Sequence, residues 1–189
     1  MLFYPFLIQY IIMACDITLD ASIGEQCTKG QGGNSIFYPF NFIADAFTVV
    51  AGEATAMNAA LTVAYSFAIS TGDGNTLSQP LVADSITGNK VCTQTMVAQL
   101  LGETAAGNDT LDKFASAKTS GVLKGRDGKY RWLAADEGFQ NITVDPTTGG
   151  ARNDFKGSTI TTVSITSKVA PILDDATVTA FLAIVVAPV

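Results

Sequence analysis

Apolar and polar residues alternate along much of this chain, and the clearest case lies in its first half. Leu61, Val63, Tyr65, Phe67 and Ile69 interleave with Thr62, Ala64, Ser66, Ala68 and Ser70. A period of two predicts a strand over residues 61–70, half-buried through the larger side chains. Burying that set contributes on the order of 10 kcal/mol before chain entropy is subtracted. The other set, Thr62, Ala64, Ser66, Ala68 and Ser70, is small and weakly polar. A strand facing open water more often carries Lys, Glu or Arg. This second face is therefore expected either to pack under another layer or to line a crowded interior.

Further elements follow from the same pattern. Residues 35–50 carry Phe37, Tyr38, Phe40, Phe42 and Phe47 and read as strand, with Pro39 marking an edge or a bulge. Residues 91–101 predict a second good strand. Residues 108–118 predict the one helix, capped by Asn108 or Asp109, apolar along Leu111, Phe114 and Ala115, and stopped at Gly121. A hairpin is predicted where residues 121–125 and 129–133 flank Arg126-Asp127-Gly128, with Asp127-Gly128 forming a type I′ turn. Gly138 ends the returning strand. Residues 139–144 predict a short strand, residues 145–154 a loop, and residues 157–169 and 178–186 the closing strands. The expected fold is all-β: a β-sandwich or barrel-like domain of about seven strands with one short flanking helix.

The polar, glycine-rich stretch 16–34 interrupts this pattern and reads as a loop or extended arm. The chain thus divides into an apolar extension, residues 1–12, and a single β domain, residues 13–189, with an N-terminal arm over 13–34. The extension MLFYPFLIQYII is too short to span a bilayer. It reads as an upstream start ahead of Met13, as a lipoprotein signal ending at Cys15, or as a buried N-terminal strand. The lack of a basic n-region weighs against the signal.

Composition narrows the function. Hydrophobic residues make up 48% and charged residues only 15% of the 189, well below the charged quarter of an ordinary domain. So few charges suit a surface covered by copies of itself. The net charge of −6 argues against nucleic-acid binding, which needs a basic patch. The absence of histidine removes the commonest general base and transition-metal ligand. The chain is therefore expected not to be an enzyme and to hold no metal or cofactor. Cys15, Cys27 and Cys92 are too few, and odd in number, for a disulfide framework. They read as reduced thiols, with a Cys15–Cys27 bond the alternative.

Individual motifs favour plain readings. The run from Lys29 to Gly33 lacks the Gly-Lys-Ser/Thr ending of a phosphate loop. Asp73-Gly74-Asn75 lacks the closing Glu of a calcium loop and reads as a turn. Asp136-Glu137 and Asp174-Asp175 read as solvated turn residues, because neighbours on a strand point to opposite faces. Tyr130, Arg131 and Trp132 are a possible interface, since such residues concentrate at contacts. Packing inside the fold is the alternative.

The order of features in the second half carries a resemblance. A strand and short helix lead to Gly121-Val-Leu-Lys-Gly-Arg-Asp-Gly-Lys-Tyr130, then Gly138, the loop Thr147 to Asp154, Gly157, a Thr-rich strand, Ala170-Pro171 and an apolar end. Met13-Ala14-Cys15, Cys27-Thr-Lys29 and Gly32-Gly33 open the same pattern. This order resembles tail tube-type virion structural proteins of tailed bacteriophages infecting Bacteroidota hosts. The resemblance implies a β-sandwich with a flanking helix, and homo-oligomeric, hexameric rings stacked into a tube. It implies a tail location in the virion after assembly in the host cytoplasm. The expected partners are copies of the chain, other virion proteins and genomic DNA as conducted cargo, with no membrane. Thr62, Ala64, Ser66, Ala68 and Ser70 are then the candidate lumen face. The alternatives are a surface lipoprotein or adhesion module lipidated at Cys15 and, within virions, a capsid decoration or head-fibre protein.

Overall fold

Alternating strands pair into two sheets, and their side chains define which faces are buried. In this computed structural model the described residues are 33–70, 74–83, 89–101, 104–148 and 155–186. They belong to one compact unit. The extension 1–12, Cys15, Cys27, Asp73 and the arm up to residue 32 lie outside the described residues.

The chain runs β1 (Asn34–Asn41), β2 (Phe47–Val50), β3 (Glu53–Met57), β4 (Phe67–Ala68), β5 (Thr76–Ser78), β6 (Leu81–Ala83), β7 (Lys90–Leu101), α1 (Ala105–Ser116), β8 (Thr119–Gly125), β9 (Tyr130–Leu133), β10 (Asn141–Thr147), β11 (Gly157–Thr166), β12 (Ile172–Leu173) and α2 (Asp175–Leu182). The large sheet has seven strands in the order β2-β3-β12-β9-β8-β1-β4, and the small sheet five in the order β10-β11-β7-β5 with β6 also on β7. Every pairing is antiparallel except β12 with β3. The expected sandwich-like, mainly β architecture is observed, with short flanking helices at α1 and α2.

Adjacent residues of β1 anchor separate cores. Phe37 points toward the small sheet, where Met96, Ala98, Leu123, Leu133 and Ile160 meet Leu111 and Phe114 of α1. Its ring lies edge-on to Phe67, Phe114 and Phe139 at 5.9–6.2 Å. Tyr38 and Phe40 point the other way and meet Phe47, Val122, Tyr130, Trp132, Leu173 and Phe181 of α2. The large sheet is thus covered on both faces.

Several expectations change. Residues 61–70 do not form one strand. Only Phe67–Ala68 is regular, and the segment changes partners every few residues. Ala64 N–H donates to Ile184, Tyr65 to Pro39, Ile69 to Ser35 and Ser70 to Gln99. No single ladder fixes the alternation, so Leu61, Ala64, Ile69 and Ser70 are buried while Val63 and Tyr65 are exposed. Thr62, Ala64, Ser66, Ala68 and Ser70 consequently share no face, and the candidate lumen wall is withdrawn. It is Tyr65 and Phe67, the larger side chains, that line a groove beside Lys113 and Phe114 of α1.

The predicted final strand, residues 178–186, is mostly helix. Asp174 caps α2 by accepting from Thr177 N–H at 2.6 Å, and Thr177 and Phe181, four apart, bury one face. Asp174 is held below the usual carboxylate range by those Thr177 hydrogen bonds. Helix α1 starts before the predicted cap. Thr104 accepts from Gly107 N–H at 3.0 Å, and the helix ends at Ala117 rather than Gly121. Leu111 and Phe114 are buried as expected, but Ala115 is exposed. Gly121 serves packing instead: a Cβ there would lie 2.4 Å from the Phe37 ring.

The β8–β9 hairpin forms where predicted, with another turn. Gly125 and Lys129 close a three-residue loop through Gly125 N–H to Lys129 O at 2.9 Å, and Gly128 N–H reaches Gly125 O at 3.1 Å. Gly128 has φ 82, while Asp127 keeps negative φ, the pattern of a turn followed by a glycine bulge. Both central residues have positive φ at Ala51 (52) and Gly52 (88), between β2 and β3, which is the type I′ pattern. Pro39 sits where β1 lacks a continuous outer neighbour, since β4 pairs only with Ile36 and Phe37. The missing N–H there leaves no ladder position empty.

Two predictions follow from this packing. Phe181→Ala removes the ring that meets Tyr38, Phe40 and Phe47 at 5.7–6.3 Å. It is expected to cost about 3–5 kcal/mol in urea unfolding. Val63→Asp places a charge at an exposed position and is expected to shift the same midpoint little; a loss comparable to that of Phe181→Ala would restore the regular strand. The second prediction concerns Asp127, whose carboxylate pairs with the half-buried Arg131 guanidinium and accepts from Lys129 N–H. The Arg131 hydrogen bond, the largest influence, lowers its pKa. A lowered folded pKa gives stability above the unfolded value of about 4, lost as pH falls through the folded value. Asp127→Asn is therefore expected to be less stable than wild type at pH 7, with the difference shrinking below about pH 4.

Candidate functional surface

The small sheet is built on its two longest strands. β7 and β11 pair from Cys92–Thr166 through Leu101–Gly157, and their β-branched content suits a long ladder. Their inner residues face the core: Cys92, Gln94, Met96 and Ala98 on β7, and Ser158, Ile160, Thr162, Ser164 and Thr166 on β11. Gln94 ties this side to the large sheet. Its Oε1 accepts from Ala134 N–H at 2.9 Å and Ser164 Oγ at 3.2 Å, and its Nε2 donates to Lys168 O at 3.4 Å. Burial pushes the Cys92 thiol up from its ordinary pKa, opposed by Thr166.

The outward residues form an open face. In register across the strands lie Asn141–Val163–Thr95–Ser78 and Thr143–Thr161–Val97–Thr76. Asp145–Thr159–Gln99 and Thr147–Gly157–Leu101 continue the rows, with Thr93 beside Ile165 and Val91 beside Val82. Hydroxyls and β-branched methyls dominate. Asp145 is the one charged residue, and there is no Lys or Arg among the described residues of this face. Such a surface holds water through hydroxyls but offers nothing that captures a polyanion.

The residues singled out from the sequence are dispersed. Tyr130 and Trp132 are 9% and 3% exposed, so the possible interface of Tyr130, Arg131 and Trp132 is corrected. Trp132 donates through Nε1 to Ser120 Oγ at 3.0 Å and packs on Phe47 at 5.1 Å. Arg131 is taken up by Asp127, in the hairpin turn with Gly128. Tyr38, buried against Tyr130, has its phenol pushed up to about 12, mainly by burial.

The acidic pairs organise loops. Asp136 accepts from Ser167 N–H at 2.8 Å and Ser167 Oγ at 3.2 Å. Asn75, next to Gly74, is buried, donating to Ser70 O at 2.7 Å and accepting from Gln99 N–H at 2.7 Å. Among the described residues no group of three or more His, Cys, Asp or Glu gathers to hold a metal ion. No described helix is long and apolar enough to cross a membrane.

The open face was missed in the sequence because it is assembled from strands far apart in the chain. The Thr-rich run of residues 157–169 was its one local sign. Comparison of the chain with protein-family models, curated proteins and solved structures finds no match.

Proposed function

We propose that this chain is a self-assembling phage virion protein, a tail tube subunit whose rings stack into a conduit for the genome. The open face of the small sheet carries this reading. A wall that lets DNA pass must be wet yet must not replace counterions along the phosphates, and each basic side chain would do so. The face from Thr76 through Val97 and Thr161 to Thr143 is hydroxyl-rich and free of Lys and Arg. It takes the role that residues 62–70 cannot. The net charge of −6 acts in the same direction.

The ring contact is assigned to the edges of the same sheet, β10 of one copy beside β5 of the next. A rotationally closed head-to-tail contact produces a ring, and strand edges supply unpaired backbone groups. Asp145 and Pro146 blunt one end of β10 and leave Asn141–Val144 as the pairing stretch.

Negative-stain microscopy of the purified full chain is expected to show rings or tubes. A dispersed monomer at high concentration, or a two-fold dimer as the final state, overturns the proposal. The lumen assignment has its own test. Thr161→Lys combined with Thr143→Lys is expected to make assembled tubes retain DNA in a filter-binding assay, with a steep decline as salt rises. Wild-type tubes are expected to retain little. Equal retention by both proteins removes the open face from the lumen.

A further inference from the structure

We propose that the groove beside α1 is a binding site for a small neutral aromatic molecule carrying one hydroxyl, a simple phenol, held by the Thr119 side chain. The groove exists because β4 is short. It pairs with β1 only at Ile36 and Phe37. Tyr65 N–H then bonds Pro39 O, and beyond that point no described strand lies against the outer edge of β1. The irregular segment contributes Tyr65 and Phe67 to the lining, and α1 contributes Thr110, Lys113, Phe114 and Ala117. These four are spaced to share one face of the helix. The volume is about 360 Å³, within the roughly 300–1,000 Å³ of small-molecule pockets.

Thr119, where β8 begins, also lines the groove. The residue is 5% exposed, and its Oγ1 is buried with no hydrogen-bond partner. Thr119 and Leu123 stand on the same face of β8, and Leu123 belongs to the core that meets α1. Ser120, between them, faces the other way and is satisfied by Trp132 Nε1 and Leu133 O. A hydroxyl both donates and accepts, and leaving one unpaired in a buried site is costly. The hydrogen-bonding capacity of Thr119 is therefore directed to the α1 side, where the groove lies.

The other lining groups define the rest of the ligand. The Phe67 and Phe114 rings meet edge-on at 5.6 Å, and a flat aromatic body placed against them gains further contacts of that kind. Lys113 is the one charged residue in the lining, and its ammonium pairs with Asp109, so the two present no net charge. The Thr110 hydroxyl is taken up by Ala106 O at 2.9 Å. A neutral ring with a single polar atom matches this set: rings beside rings, and one hydroxyl opposite Thr119. The groove shares no residue with the open face of the small sheet, so the site stands apart from the tube reading.

The test titrates the full chain with p-cresol and with toluene, which lacks only the hydroxyl, by ligand-observed NMR and calorimetry. Wild type is expected to bind both. In Thr119→Val the ratio of p-cresol to toluene affinity is expected to fall about tenfold, the worth of one hydrogen bond. Taking the ratio cancels the different hydration of the two probes. The valine keeps the shape of the side chain and removes a hydroxyl without a partner, so the thermal midpoint is expected to hold or rise. Ala117→Phe fills the groove and is expected to abolish binding of both probes. No binding of p-cresol by wild type at millimolar concentration overturns the site. So does an unchanged ratio in Thr119→Val, a clearly lower midpoint in that variant, or undiminished binding by folded Ala117→Phe. Each of these outcomes leaves the tube reading standing, because assembly is read separately by microscopy.

Discussion

Burial of the large sheet on both faces is the constraint from which the other features follow. Phe37 and Tyr38 are neighbours on β1, and each enters a different core. One core needs the small sheet and α1 as cover, the other needs α2 and the irregular segment around Leu61 and Ala64. Both helices and the irregular segment are thereby committed to the large sheet. Nothing among the described elements remains to cover the outer face of the small sheet. Among the described elements the open face is a consequence of layer order, because both helices and the inner face of the small sheet are already spent on covering the large sheet.

Local pattern served well wherever a strand kept one partner over its length. β7 and β11 hold a single register against each other, so both were legible as strands from their β-branched runs. The hairpin at Asp127-Gly128 was also legible, since turn chemistry is local, although its type was not. The pattern misled where partners changed. Residues 61–70 alternate as well as any strand, but their backbone bonds go in turn to the C-terminal segment, β1 and β7. Periodicity reports a face only when a ladder fixes the face. At α2, β-branched Val178 and Thr179 favoured a strand, and tertiary context overrode that preference. The cap at Asp174 with Asp175 in the first turn was the available sign of a helix.

The candidate functional face was harder to read for a related reason. Both sides of β7 and β11 are weakly polar. The inner side carries Gln94, Thr162, Ser164 and Thr166 and the outer side Thr93, Thr95, Thr159 and Thr161. Residue type alone does not separate them. What separates them is burial, and Gln94 tolerates it by using both ends of its amide inside, bonding Ala134, Ser164 and Lys168. A buried amide needs such partners, and they come from distant strands. The interface reading of Tyr130 and Trp132 failed on the same ground. Aromatic residues with a polar handle mark contacts and cores equally, and here Ser120 supplies the indole's partner within the chain.

The low charge of the chain acquires a physical meaning once the faces are assigned. An exposed sheet on an ordinary soluble protein protects itself with Lys and Glu, which repel other strands and hold water. Thr and Val do something different. They favour the pleated backbone through their branched side chains, and Thr adds a hydroxyl that stays hydrated without fixed charge. A face made of them is stable as sheet, wet, and indifferent to the sign of what passes. It also lacks the repulsion that would keep copies apart at the sheet's edges and ends. On the proposed tube reading, the same choice of residues answers two demands, an inert wall and an adhesive margin. A charged face would meet neither: basic residues would hold a polyanion, and residues of either sign would oppose close packing of identical copies. That coincidence is what favours the proposed conduit of copies over a face that binds a separate ligand.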